Sequence, residues 1–323
     1  MTASASPATM VDACMTVWGK PFQTAATLLS LFSHSSELID RIYIVVESQQ
    51  PQGFSISALE SLLPDALRRK LVFYQPKYFL AAHRTDYDRC LVDADYRLSV
   101  RYQYGLESTD KAAMLILHND VEFFSCPILP ILHHLKDYAG IGEIGQCWNC
   151  PAFQEERCAP LSFQEFIDSK PAYSEVKRMI LRHPKLGAGR SFKLIKNGLW
   201  PRDQPLPMPE CRLNEFCCLV DADIYRKEVI PHGTIPPIGS SFFVDTGDRW
   251  FREMVLNGYK FKHHSHPEWK HGYVANRAGF TTKTVRGQQD ANTQYVLGEQ
   301  AAKNHLYSKY GVKPSKSYFP LEE

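Results

Sequence analysis

The apolar run Met114-Leu115-Ile116-Leu117 stops abruptly at His118-Asn119-Asp120. A strand that breaks into polar residues presents them beyond its carboxyl end, where open α/β sheets bind their ligands. A carboxylate there suits a hard divalent cation, and Mn2+ tolerates an imidazole such as His118 better than Mg2+ does. The same Asn-Asp pair equally suits a turn, or the cap of a helix starting near Ser125. A second acidic element, Asp245 and Asp248, opens a segment in which Trp250, Phe251, Met254 and Val255 recur at helical spacing. The positive end of a helix favours carboxylates, and one held on a ligand-facing rim can accept a proton from a hydroxyl. Helix capping, with Asp248 paired to Arg252, is the structural alternative. His263, His264, His266 and His271 form the densest histidine group, either ligands or a solvent-facing strand. Cys147-Trp-Asn-Cys150, with Cys158 and Cys211 further on, has the opening of a zinc site. No second C-x-x-C follows, so packed thiols are preferred and structural Zn2+ at Cys147 and Cys150 is the alternative.

The elements that must position these groups alternate. VDACMTV reads as a strand, and Pro21 opens a helix with Ala25, Leu28, Leu29 and Phe32 on one face. RIYIVVES is a continuous apolar run suited to a strand buried on both faces. ISALESLLPDALRRK is expected to be helical, KLVFYQP a short strand, and residues 83–110 a ligand-facing loop leading into a helix. A helix is expected near Ile128 to Tyr138. Apart from a GEIGQ strand, residues 140–209 read as irregular. EFCCLVDADIYRKEV resumes regular structure, YKFKHH is a strand after Gly258, and AAKNHLYSKYG is a closing helix.

At 323 residues with 44% apolar content the chain has ample material for a core, and +2 net charge gives no cationic field for nucleic acid. No run is long and apolar enough to span a bilayer, and MTASASPATM lacks the pattern of a signal peptide. The expectation is a soluble, cytoplasmic protein with residues 1–10 disordered and nine cysteines that are mostly reduced.

Strand, Asn119-Asp120, then Phe123, Phe124 and Pro127 resembles the metal-binding carboxylate motif of GT-A glycosyltransferases, family-2-like enzymes of bacterial polysaccharide synthesis in particular, with His118 where that motif usually has its first acid. FCCLVDADIYRKEVIPHG followed by SFFVDTGDRWFREMVLNGYKFKHHSH resembles their acceptor half in order and spacing. The resemblance implies an α/β fold with a Rossmann-like, mostly parallel mixed sheet flanked by helices. It implies one nucleotide-sugar-binding domain over 11–323, with a donor half at about 11–125, an acceptor half at about 126–275, and a C-terminal helix and tail at 276–323. It further implies an inverting, Mn2+- or Mg2+-dependent transfer from a nucleotide-sugar donor to a glycan or lipid-linked glycan, with at most peripheral membrane association. By this likeness Asp245 is the base, Asp120, His264 and His266 bind the metal, and Glu47, Arg101, His118, Asn119 and Asp120 contact the donor. Asp12, Thr16, Arg97, Tyr102 and Tyr104 are secondary donor-side candidates; Glu143, Trp148 and Asn149 are placed to line the acceptor cleft. A nucleotidyltransferase is disfavoured because WGKPFQT carries one glycine and not a Gly-rich loop. A catalytically inactive GT-A-like nucleotide-binding or scaffolding protein is the alternative.

Overall fold

The computed structural model describes residues 10–51, 54–80, 85–239, 246–265, 267–271 and 289–313. Residues 1–9, Asp245 and His266 lie outside them. Seven strands form one sheet in the order β3-β2-β1-β4-β7-β6-β8: β1 is Val11–Val17, β2 Ile39–Val46, β3 Leu71–Tyr74, β4 Ala113–Leu117, β6 Gly140–Ile144, β7 Leu213–Asp221 and β8 Phe261–His263. The sheet is mixed and mostly parallel: β7 alone runs antiparallel to its neighbours β4 and β6. A small ribbon pairs β5, Val121–Phe123, with β9, Trp269–His271.

Side-chain alternation along the central strands divides the core into two layers. Met114 and Ile116 join Cys218, Val220, Trp250 and Phe251 on one face. Leu115 and Leu117 join Ile42, Ile44 and Leu219 on the other, beneath helix α1, Pro21–Ser35. That helix buries nearly all its length because the C-terminal helix Gln289–Tyr310 lies over it, contributing Ala302 and Leu306 to the same layer. Between β6 and β7 the backbones approach closely: a Cβ on Gly142 would meet Cys218 Cβ at 2.7 Å, so only glycine fits.

The structure departs from the sequence expectation in three places. ISALESLLPDALRRK is two short helices, Ile56–Ser61 and Asp65–Arg68, broken at Pro64. The described part of 83–110 is not a loop: it forms Tyr87–Val92, Ala94–Leu98 and Gln103–Ser108, the first two begun by Asp86 and Asp93 side chains accepting from Arg89 N and Tyr96 N at 3.0 Å. Each is too short for a 3.6-residue period to stand out. Residues 140–209 are also largely helical, including Tyr173–Arg182, whose Val176, Met179 and Ile180 face the core. That i, i+3, i+4 pattern is present in the sequence, but it spans a single short helix between flanking prolines.

Candidate active site

Strands β1, β2 and β4 deliver their carboxyl ends to one edge of the sheet. The chain leaves β1 for β2 and β3 on one side, while β4 lies on the other, so the strand order reverses between β1 and β4. In open α/β sheets the crevice at such a reversal is the usual ligand site. Here it is bordered by Lys20 beyond β1, Glu47 beyond β2, and His118 to Asp120 beyond β4. Because β7 is antiparallel to β4, its entering end, Asn214 and Glu215, reaches the same edge, and His118 N–H donates to Phe216 O at 3.1 Å.

Among the described residues, two cation–carboxylate pairs stand out on this edge. Lys20 Nζ lies 2.6 Å from Asp120 Oδ2, with the side chains 7% and 1% exposed. Arg101 donates to Glu215 Oε1 at 3.3 Å. His118 stands between them, Nδ1 at 3.8 Å from Asp120 Oδ1 and Nε2 at 3.4 Å from Glu215 Oε1. Burial pushes the Glu215 carboxyl upward, but the Arg101 charge and the His118 hydrogen bond outweigh it and hold it well below the usual range. Glu47 goes the other way: burial raises it to about 7, offset only in part by Arg101. Its Oε2 is buried and makes no hydrogen bond. Asn119 Nδ2 donates to Thr24 on α1 at 3.1 Å, fixing the strand end against the helix.

The donor-side residues Glu47, Arg101, His118, Asn119 and Asp120 therefore share one edge. The secondary candidates divide. Asp12 sits at the opposite end of β1, accepting from Arg41 N at 2.9 Å and from Thr109 at 2.6 Å, and Arg97 pairs with Glu107 at 2.8 Å; both serve packing. Tyr104 stacks on Tyr74 with centroids 3.8 Å apart, Tyr102 is buried, and the Thr16 hydroxyl is buried within β1.

On the acceptor side, His264 follows β8, three strands from β4, and its imidazole pairs with Glu268 at 3.5 Å. His263 Nδ1 accepts from Ile144 N at 3.0 Å. Trp148 is exposed, Glu143 is half-buried with its carboxyl raised by burial, and Asn149 accepts from Gly187 N at 3.3 Å. Asp248 is the first residue of the helix Asp248–Leu256, one position beyond the expected cap: the capping position is Gly247, and no side chain caps this helix. Its companion Arg252 instead donates to Pro207 O at 2.7 Å, which leaves the expected Asp248–Arg252 pair unformed in favour of a backbone carbonyl. The residues flanking 240–245 touch this edge: Arg212 donates to Thr246 O at 2.7 Å, and Gly239 packs so closely on Arg101 that a Cβ would fall 2.9 Å from Arg101 Cβ.

Among the described residues no group of three or more His, Cys, Asp and Glu side chains is arranged to hold a metal ion. Cys147, Cys150, Cys158 and Cys211 do converge with Glu210 on one small cavity, so the fold gathers all four thiols, but as free cysteines, and zinc gains no support. Desolvation raises Cys147 and Cys158, and Cys211 is raised by a hydrogen bond to Cys150 and then by burial, so none of these three is a ready thiolate. Lys20 and Glu215 were not singled out from sequence. The available signals were a lysine in the turn leaving the first strand and a charged residue within the apolar run of β7.

The chain matches no protein-family model and no curated protein. Solved structures that resemble it include a mannosyltransferase from Pyrobaculum calidifontis in complex with GDP-Man and Mn2+, at 10% identity and TM-score 0.41 over 93% of this chain and 70% of that one. Core-mannan synthase A from Aspergillus fumigatus, in a Mn/GDP form, aligns at 12% identity and TM-score 0.41 over 84% and 77%. The galactosyltransferase LgtC, solved with donor and acceptor sugar analogues, aligns at 14% identity and TM-score 0.36 over 68% of this chain, which spans 61% of LgtC. Similarity of this order carries no inference about activity. Among the described residues no helix is long and apolar enough to cross a membrane.

Proposed function

We propose that this protein is a GT-A glycosyltransferase that moves a sugar from a nucleotide-sugar donor to a hydroxyl of a glycan or lipid-linked glycan, with inversion, in cytoplasmic polysaccharide or glycoconjugate synthesis. The observation that carries this reading is the crevice between β1 and β4, where Lys20, Arg101, His118, Asp120, Glu47 and Glu215 meet at the strand ends. Fixed cations there suit a diphosphate, and Glu47 beside them offers a buried carboxyl to the nucleoside. In the reaction the anomeric C–O bond to the diphosphate breaks and its electron pair leaves on the phosphate oxygen. The acceptor oxygen bonds to the anomeric carbon from the opposite face, and its proton passes to a carboxylate, assigned by resemblance to Asp245. Lys20 already engages Oδ2 of Asp120, the carboxylate that the resemblance assigns to a divalent cation. The donor half, acceptor half and C-terminal helix of the resemblance correspond in this reading to strands β1 to β4, strands β6 to β8, and the helix Gln289–Tyr310.

A thermal-shift panel of UDP-, GDP-, dTDP- and CMP-linked sugars on wild type and Asp120→Ala tests the reading. Stabilisation by one nucleotide class, about 3 kcal/mol at a hundredfold excess over Kd, lost in the variant and accompanied by slow release of free nucleotide, is expected. No shift with any donor in folded protein would overturn it. Binding without any nucleotide release, with or without acceptor glycans, would favour the inactive, nucleotide-binding alternative.

A further inference from the structure

Lys20 is held more firmly than a surface lysine. Its backbone is left-handed, φ 54° and ψ 47°, next to Gly19 at φ 58°, a conformation that disfavours a non-glycine residue. Three hydrogen bonds maintain it: Gly19 N–H to Gln50 Oε1 at 2.7 Å, Lys20 N–H to the Tyr295 hydroxyl at 3.0 Å, and Thr24 N–H to Lys20 O at 2.8 Å. The ammonium is thereby delivered to Asp120 in a buried setting, where an ion pair stabilises only if well placed. A Mg2+ ion coordinates oxygen at about 2.0–2.1 Å, so on this carboxylate oxygen it would stand against the ammonium as a like charge. At Oδ2 the site does not fit a divalent cation while Lys20 is in place; the other oxygen, Oδ1, faces the His118 ring at 3.8 Å.

We propose that Lys20 is the resident cation of the donor site: its ammonium, oriented by Asp120, binds the donor diphosphate and meets the charge that grows on the leaving phosphate, the task a divalent metal would otherwise perform. This rests on the glycosyl-transfer reading. An ammonium carries three N–H donors, enough to serve Asp120 and a phosphate oxygen together. It supplies charge and hydrogen bonds and transfers no proton. Arg101, held by Glu215 and joined to the first pair through His118, supplies the second cation of the edge. Asp120 is then a positioning residue for Lys20.

Isothermal titration of UDP, GDP and dTDP into wild type, Lys20→Met, Lys20→Arg and Asp120→Asn, each in EDTA and in MnCl2, tests this. The wild-type Kd is expected to change less than about threefold between the two conditions. Lys20→Met should weaken binding by about tenfold or more in both, Lys20→Arg should recover part of the loss, and manganese paramagnetic resonance should detect no ion bound at the site. Wild-type binding that collapses tenfold in EDTA, or a bound Mn2+ that Asp120→Asn removes, overturns the inference and leaves the nucleotide-sugar reading standing. Absence of binding by all three nucleotides in folded wild type, with no shift by a CMP-linked sugar either, sinks that reading and the inference with it. Should Lys20→Met fail to fold, the metal dependence of wild type and Lys20→Arg decides.

Discussion

Glu47 is the residue at which stability and the proposed donor recognition would meet. It ends β2 beside the crevice, and the loss of solvent raises its carboxyl to about 7 with Oε2 unpaired. A buried polar atom without a partner costs about 1–3 kcal/mol, a cost relieved when a ligand group meets it. Glu47→Gln keeps the size and removes the ionisable group. It should leave the melting temperature at pH 8 unchanged or higher while raising the donor KM about tenfold or more, measured by steady-state kinetics at saturating acceptor. A variant that loses stability and keeps its KM would show that Glu47 serves packing instead. Glu215 differs in that its Oε1 is paired to Arg101 and faces His118, although its Oε2 is likewise buried without a hydrogen bond.

At the scale of the element, the C-terminal helix Gln289–Tyr310 is tied to the site by polar contacts as well as by packing. Tyr295 accepts from Lys20 N–H and meets Trp18 edge-on with centroids 6.2 Å apart. Glu299 accepts from Phe22 N at 2.9 Å and Gln23 N at 3.4 Å, closing the first turn of α1. Further along, His305 and Lys309 both reach Glu122 Oε1 at 2.7 Å; burial works against that carboxylate, yet the two partners hold it below its ordinary value. The helix therefore sets the turn from which Lys20 projects. Tyr295→Phe removes one hydroxyl and strands a buried N–H, costing about 1–3 kcal/mol in urea unfolding. It should also lower kcat/KM several-fold, because the Lys20 turn loses one of its three restraints. Loss of stability with unchanged kcat/KM would mean that the helix only packs.

Across the whole molecule, three buried carboxyls, Glu47, Glu210 and Glu299, are raised by desolvation from 4.5 to about 7. Between those values the folded chain keeps protons that the unfolded chain has released. Their contribution to stability is therefore fully present below about 4.5 and is lost as pH rises through about 7. Glu215 has the opposite sign, but its depressed value places its loss at acidic pH, below the range that matters here. The urea midpoint should fall between pH 5 and pH 8, and Glu299→Gln should flatten that slope by up to about 3 kcal/mol. A midpoint that rises over this range would show that other groups dominate the linkage.

The order of elements was legible in the sequence wherever burial imposed a long period. Ile42 to Val46 is apolar on both faces because β2 lies inside the sheet, and Pro21 opens α1 because its missing N–H costs nothing there. His118-Asn119-Asp120 was legible for the same reason, since an apolar strand that breaks into polar groups marks its own carboxyl end. Tyr87–Val92 and its neighbours were not, because helices of five or six residues are set by caps and tertiary contacts and not by periodicity. Nor could the sequence show that Lys20 and Asp120, 100 positions apart, would meet, or that Glu215 would reach the same edge. Strand order and the direction of β7 decide that, and these follow from how whole layers bury their apolar faces against one another. The sequence by itself determined which groups lie at strand ends; the tertiary structure alone decided which of them stand side by side, because ion pairing depends on distance through space and not along the chain.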